Sequence, residues 1–120
     1  MAKILLAEDD HAVRDFVYRA LELRGHDVTA VHDGGEAAAA LAARSGNFDL
    51  LLADIKMPVM DGIALALLAA KDHPDLPILL MTGYADQRER AHGLDQLIRD
   101  VIAKPFTLEE LAGAVDAALA

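Results

Sequence analysis

The sequence predicts a doubly wound α/β fold, with a five-stranded parallel sheet covered by five helices. Five short apolar runs alternate along the 120 residues with longer segments of helical spacing. Elements that alternate in this way over short connections favour parallel strands joined by right-handed crossovers. The apolar runs extend over Ile4 to Ala7, Val28 to Val31, Leu50 to Ala53, Ile78 to Met81 and Val101 to Ala103.

The strand order follows from the polarity of the runs. Val28 to Val31 is the most polar run and suits the edge of a sheet, whereas the runs ending at Ala7 and Ala53 are aliphatic throughout and suit its centre. We therefore expect the order 2-1-3-4-5, which is that of flavodoxin-like folds.

The first two helices are predicted from spacing and end signals. Apolar residues from Val13 to Leu21, including Phe16, recur at one-face helical spacing, and Gly25 follows as a stop. The second helix starts at Asp33, a cap-like residue, and its alanine-rich stretch ends near Arg44.

The third helix is predicted to begin at the N-cap Asp61 and to end before Pro74, with Leu67 on its inward face. A short, solvent-facing fourth helix is predicted between Asp86 and His92, where charged residues dominate and Gly93 cuts the segment.

The last helix opens at Thr107 with a capping box and runs to the end of the chain. A chain of 120 residues is expected to form one domain over residues 1–120. We expect no output domain after it.

Composition limits the classes of function. The chain has no cysteine, which excludes a thiolate metal site and favours a cytoplasmic location. Its net charge of -9 disfavours nucleic acid and anionic membranes as partners, and no apolar stretch approaches the length of a membrane span. Its five histidines show no pair at metal-ligand spacing on a common element. We expect protein partners.

Side chains capable of chemistry follow four of the five predicted strands. Glu8 to Asp10 follow the first, Asp54 the third, Thr82 the fourth and Lys104 the fifth. The carboxyl ends of parallel strands share one sheet edge, where a divalent cation such as Mg²⁺ would relieve the repulsion between carboxylates. Thr82 and Lys104 suit phosphoryl oxygens, so the predicted chemistry is phosphoryl transfer to a carboxylate.

Four motifs in this order resemble those of bacterial two-component receiver domains of the CheY-like superfamily. They are Glu8-Asp9, Asp54-x-x-Met57-Pro58-x-Met60-Asp61-Gly62, Thr82-Gly83 and Lys104-Pro105-Phe106.

The resemblance implies a role for each matching residue. Asp54 is the expected phosphoacceptor, and Glu8, Asp9, Asp54 and the backbone carbonyl of Lys56 are the expected Mg²⁺ ligands. Thr82 is the expected switch hydroxyl and Lys104 the expected phosphate-binding lysine, followed by a cis bond to Pro105. The sites expected to take part are therefore Glu8, Asp9, Asp54, Lys56, Thr82 and Lys104.

The chain departs from the family pattern at the switch. Val101 stands where such domains often carry an aromatic residue, and Tyr84 is the hypothesised substitute that carries or modulates the signal. Lys56 could pair with the phosphoryl group or with Asp10, and the sequence leaves both open.

The function implied is that of a single-domain response regulator, not an enzyme with turnover. It would accept a phosphoryl group on Asp54 from a histidine kinase or histidine phosphotransferase and switch protein interactions. A narrower resemblance, to a bacterial cell-cycle receiver, implies phosphorylation-controlled priming of the ClpXP protease, with ClpX as partner.

Three alternatives remain open. One is a phosphorelay intermediate that passes the phosphate on, and another is a binding-only pseudo-receiver, which is disfavoured because every reactive position is filled. The third is a haloacid-dehalogenase-type phosphatase, which is disfavoured because that class places Asp-x-Asp after its first strand, and Glu8-Asp9-Asp10 lacks the spacing.

Overall fold

The computed structural model describes residues 2–44, 47–83, 91 and 93–120. Its strands form one parallel sheet in the order β2-β1-β3-β4-β5, so the predicted sheet and strand order are confirmed. The strands are β1 (Lys3–Ala7), β2 (Asp27–Val31), β3 (Leu50–Asp54), β4 (Ile78–Thr82) and β5 (Asp100–Ala103).

Four α-helices are present in the described residues, so the prediction of five helices is wrong there. None of these helices is long and apolar enough to cross a bilayer. They are α1 (His11–Leu23), α2 (Gly34–Ala43), α3 (Gly62–Asp72) and α4 (Leu108–Leu119).

The fourth helix of the prediction, between Asp86 and His92, falls on a segment that lies outside the described residues except for Ala91, which is itself helical. The residues that follow form turns, in which the Leu94 amide donates to the Ala91 carbonyl (2.9 Å) and the Leu97 amide to the Leu94 carbonyl (2.7 Å).

The core has two halves, one on each face of the sheet. Side chains alternate between faces along a strand, so Leu51 and Ala53 pack with α2 and α3 while Leu50 and Leu52 pack with α1 and α4. Because both faces are covered, β1, β3 and β4 consist almost wholly of buried apolar residues. That double burial produces the continuous runs seen in the sequence.

Each helix begins with a side-chain cap just after a strand end or its loop. The cap oxygen accepts a hydrogen bond from a backbone amide three residues on, which satisfies a donor that the helix itself cannot. The capping residues are Asp10, Asp33, Asp61 and Thr107, and Thr107 forms the predicted capping box with Glu110.

Two helix faces differ from prediction. Leu67 was expected to point inward from α3, but it is 47% exposed, and Leu65 and Ala69 are buried instead. The helix is apolar on more than one face, so spacing alone did not distinguish them. On α1, Phe16 is 41% exposed and lies against the Phe106 ring rather than in the core, with ring centroids 6.4 Å apart.

Candidate functional site

Three carboxylates meet at the carboxyl edge of the sheet. Asp54 ends β3 and is 5% exposed, and Glu8, directly after β1, is fully buried. Asp9 is exposed beside them. Each of the three offers an oxygen within 4.8 Å of the others, which is a spacing that could hold a metal ion.

Lys104 joins two of these acids. Its Nζ lies 2.5 Å from Glu8 Oε1 and 3.2 Å from Asp54 Oδ1. The lysine is brought there by the sheet, because its backbone amide continues the pairing of β5 with β4 by donating to the Thr82 carbonyl at 2.7 Å. Thr82, at the end of β4, is itself buried.

The Glu8 carboxylate is already occupied by protein donors. Oε1 accepts from Lys104 Nζ, and Oε2 accepts from the Asp10 amide at 3.2 Å. Asp9 accepts no hydrogen bond from the residues that the structure describes. Asp9 is therefore better placed than Glu8 to contact a cation directly.

Burial disfavours the charged forms of Glu8 and Asp54. It raises the pKa of Glu8 to about 7, although the hydrogen bond from Lys104 works against it. Burial also raises the pKa of Asp54, again opposed by Lys104. For Lys104, burial lowers the pKa, but the Glu8 hydrogen bond and the charge of Asp54 outweigh it, and the pKa is raised.

A hard divalent cation fits this donor set. One ammonium does not compensate buried carboxylates that lie together, and carboxylate oxygens are the ligands that Mg²⁺ prefers. Glu8, Asp9 and Asp54 are the residues that would hold the ion.

Three further residues were predicted to take part in the site. Lys56 is exposed two positions beyond Asp54, and Val101 is half-buried on the edge strand β5. Tyr84, the hypothesised substitute for the aromatic switch, lies outside the described residues.

The loop after Asp54 folds back on its own start. The Ile55 amide donates to the Met81 carbonyl, and the Gly62 amide donates to the Ile55 carbonyl at 2.8 Å. At the exposed tip, Val59 has φ +71° and centres a turn in which the Met60 amide donates to the Pro58 carbonyl. A β-branched residue in this region is an outlier, which marks a strained tip.

Two glycines let helices approach this loop closely. A Cβ on Gly62 would lie 2.3 Å from the Asp54 carbonyl oxygen, and one on Gly34 would lie 1.8 Å from the Met60 carbonyl oxygen. The first residues of α3 and α2 therefore pack directly on the backbone of Asp54 and of the loop that follows it.

An apolar groove of about 600 Å³ opens beside Lys104. Val13 and Phe16 of α1 line one side, and Pro105 and Phe106 line the other. Helical spacing assigned Phe16 to the core and so concealed this surface. The sequence feature that could have revealed this groove is a second aromatic residue, Phe106, at the end of the Lys104-Pro105-Phe106 motif.

A second group of possible ligands was missed in the sequence. His32 Nδ1 lies 2.5 Å from Glu36 Oε1 and 3.6 Å from Asp33 Oδ2. The spacing was visible as His32-Asp33-x-x-Glu36. Helix capping accounts for the arrangement, since Asp33 accepts from the Glu36 amide and Glu36 accepts from the His32 amide.

The family model described as the response regulator receiver domain matches residues 4–116. The chain belongs to this family. Receiver domains accept a phosphoryl group and switch, generally without being enzymes, and they bind Mg²⁺ at an acidic pocket. They interact with histidine kinases or phosphotransferases. The Lys104-Pro105 bond is cis, as the resemblance implied.

This receiver domain is similar to the response regulator MprA of Mycobacterium avium, at 39% identity over 117 residues, which cover 98% of this chain and 50% of that protein. The chain thus spans about half the length of the curated relatives it matches. Among solved structures, chemotaxis response regulator CheY4 of Vibrio cholerae is 29% identical with TM-score 0.86, covering 99% of each chain. Response regulator TrrA of Thermotoga maritima, solved in complex with Mg²⁺-BeF, is 28% identical with TM-score 0.88, covering 99% of this chain and 100% of that one.

Proposed function

We propose that Asp54 accepts a phosphoryl group from the phosphohistidine of a kinase or phosphotransferase, and that this changes the affinity of the chain for a protein partner. The observation that carries the proposal is the Lys104 ammonium, held 3.2 Å from a nearly buried Asp54 carboxylate among further acids. Buried carboxylates that lie close together destabilise the folded chain. A functional role accounts for this arrangement better than a structural one.

In the transfer, an Asp54 carboxylate oxygen forms a bond to phosphorus while the bond from phosphorus to the donor imidazole nitrogen breaks. Lys104 is placed to hold a phosphoryl oxygen, and the buried Thr82 hydroxyl is proposed to take another. Bound Mg²⁺ would neutralise charge on the phosphoryl oxygens, with Glu8, Asp9, Asp54 and the Lys56 carbonyl as its proposed ligands.

The donor is proposed to be a protein. The groove beside Lys104 exposes apolar surface, including 41% of Phe16, and the net charge of -9 disfavours polyanionic partners.

The test is incubation with acetyl phosphate or beryllium fluoride and Mg²⁺, for the wild type and for Asp54→Asn. We expect a mass increase of one phosphoryl group, or fluoride-dependent shifts in an NMR spectrum, in the wild type alone. Modification of both proteins at equal extent would exclude Asp54 as the acceptor. Transfer from the phosphorylated chain to a second histidine protein would assign it to a phosphorelay instead.

A finer proposal concerns the partner. From the resemblance of the runs Ile4 to Asp10, Met81 to Ala91 and Gly93 to Phe106 to those of CpdR, we propose phosphorylation-controlled priming of ClpXP in cell-cycle control. We expect ClpX to bind the unphosphorylated chain and to release it on phosphorylation. A ClpX pull-down that is the same with and without beryllium fluoride would argue against that control.

A further inference from the structure

Arg14 contacts the acid cluster through the backbone rather than through a carboxylate. It lies in the first turn of α1, and its Nη1 donates to the Glu8 carbonyl oxygen at 2.9 Å. Its Nη2 lies 3.2 Å from His11 Nδ1, which supports the orientation of the guanidinium. Neither contact is required for α1 itself, whose N-cap is Asp10.

The carbonyl that Arg14 binds belongs to the peptide that joins Glu8 to Asp9. A peptide group is planar, so a hydrogen bond to its oxygen restrains the orientation of the whole group, including the backbone nitrogen of Asp9. The other side of Glu8 is also fixed, because its amide donates to the Val31 carbonyl at 3.1 Å. The backbone at Glu8 is therefore held by β2 on one side and by Arg14 on the other.

Asp9 needs such support because its own side chain is exposed and accepts no hydrogen bond from the described residues. Its carboxylate nonetheless lies within ligand distance of those of Glu8 and Asp54. Within the part of the chain that the structure describes, the orientation of its backbone is what can keep it there.

We propose that Arg14 is a positioning residue for the divalent-cation site, holding the Glu8–Asp9 peptide so that the Asp9 carboxylate faces Glu8 and Asp54. This rests on the proposed function, since it assumes that those carboxylates bind Mg²⁺. Groups that orient metal ligands typically affect metal affinity by 10–100-fold.

Charge and positioning predict opposite effects of removing Arg14. A cation near a metal site repels the metal, so loss of the charge alone would tighten Mg²⁺ binding. Loss of positioning would weaken it. The sign of the change therefore separates the two roles.

The experiment measures Mg²⁺ affinity by isothermal titration calorimetry at constant ionic strength, for the wild type, Arg14→Gln, Arg14→Lys and Arg19→Gln. Arg19 is the matched control, because it lies on the same helix and pairs with Asp15 in solvent. We expect Kd to rise about tenfold in Arg14→Gln, to rise less in Arg14→Lys, and to stay the same or fall in Arg19→Gln.

A second readout separates positioning from damage to the fold. With acetyl phosphate, the Mg²⁺ concentration for half-maximal phosphorylation of Arg14→Gln should rise, while the rate at saturating Mg²⁺ stays within about twofold of the wild type, since ligand orientation sets affinity. Should Arg14→Gln fail to fold, Arg14→Lys decides the matter by the same criterion.

An unchanged or lower Kd in a folded Arg14 variant would overturn this inference alone. A wild-type protein that binds no Mg²⁺ would overturn the metal site of the proposed function, and the inference with it.

Discussion

At the scale of the residue, Glu8 is an acid whose pKa is shifted by its burial. It is fully buried, and burial raises its pKa from 4.5 to about 7. Between these values the folded chain holds a proton that the unfolded chain has released. Glu8 therefore destabilises the fold increasingly as the pH rises through this window when no divalent cation is present.

Glu8→Gln should remove this pH dependence. In EDTA, we expect the free energy of unfolding of the wild type, relative to that of Glu8→Gln, to fall between pH 4.5 and 7, by at most about 1.4 kcal/mol per pH unit for one proton. Urea denaturation at several pH values measures it. Parallel curves for Glu8→Gln and the wild type would contradict the prediction.

At the scale of the element, the same substitution should have opposite effects in two helices. Gly113 lies in the middle of α4, where an added Cβ meets nothing within 4 Å. Gly34 is the first residue of α2, where an added Cβ would lie 1.8 Å from the Met60 carbonyl oxygen. Helix propensity therefore determines the effect of the substitution on stability at Gly113, and close packing determines it at Gly34.

We expect Gly113→Ala to raise the free energy of unfolding by about 0.5–1 kcal/mol, because glycine is unfavourable in a helix interior. Gly34→Ala should lower it by about 1–3 kcal/mol through overpacking. Urea midpoints at constant pH provide the comparison. If Gly34→Ala were as stable as the wild type, the approach of α2 to the loop after Asp54 would be looser than the structure has it.

At the scale of the whole molecule, the acid cluster links elements that are distant in sequence. Glu8 and Lys104 are 96 residues apart and belong to opposite ends of the chain. A cation that binds carboxylates from β1 and β3 binds only the folded arrangement. Its binding free energy should therefore add to global stability.

Mg²⁺ should raise the thermal midpoint of the whole domain. At a concentration 100 times Kd the expected stabilisation is about 2.7 kcal/mol. Scanning calorimetry with MgCl₂, compared with NaCl at equal ionic strength, corrects for screening of the net charge of -9. Asp9→Asn should abolish the excess effect of Mg²⁺. An equal gain in both salts would speak against a specific site.

The sheet and the helix caps were predictable from the sequence because their causes are local. A strand buried on both faces must be apolar throughout, and Asp33, Asp61 and Thr107 act on amides three residues away. The meeting of Glu8 with Lys104 was predictable only through the rule that parallel strands end at one edge.

Other features could not be predicted, because no periodic pattern in the sequence indicates them. The inward face of α3 was mistaken because Leu65 and Leu67 are equally apolar, so packing decided which was buried. The bond from Arg14 to the Glu8 carbonyl joins a side chain to backbone, and backbone acceptors are the same at every residue.

The pinned ends of the loop after Asp54 have a consequence for how this protein can evolve. Since the Gly62 amide closes the loop on the Ile55 carbonyl, the ends of the loop stay fixed whatever its exposed tip at Val59 contains. Doubling a loop's length costs only about 0.6 kcal/mol in closure entropy. Insertions at the tip can therefore create new surface for a partner while Asp54 keeps its place, so partner specificity and the chemistry proposed for Asp54 are free to diverge separately.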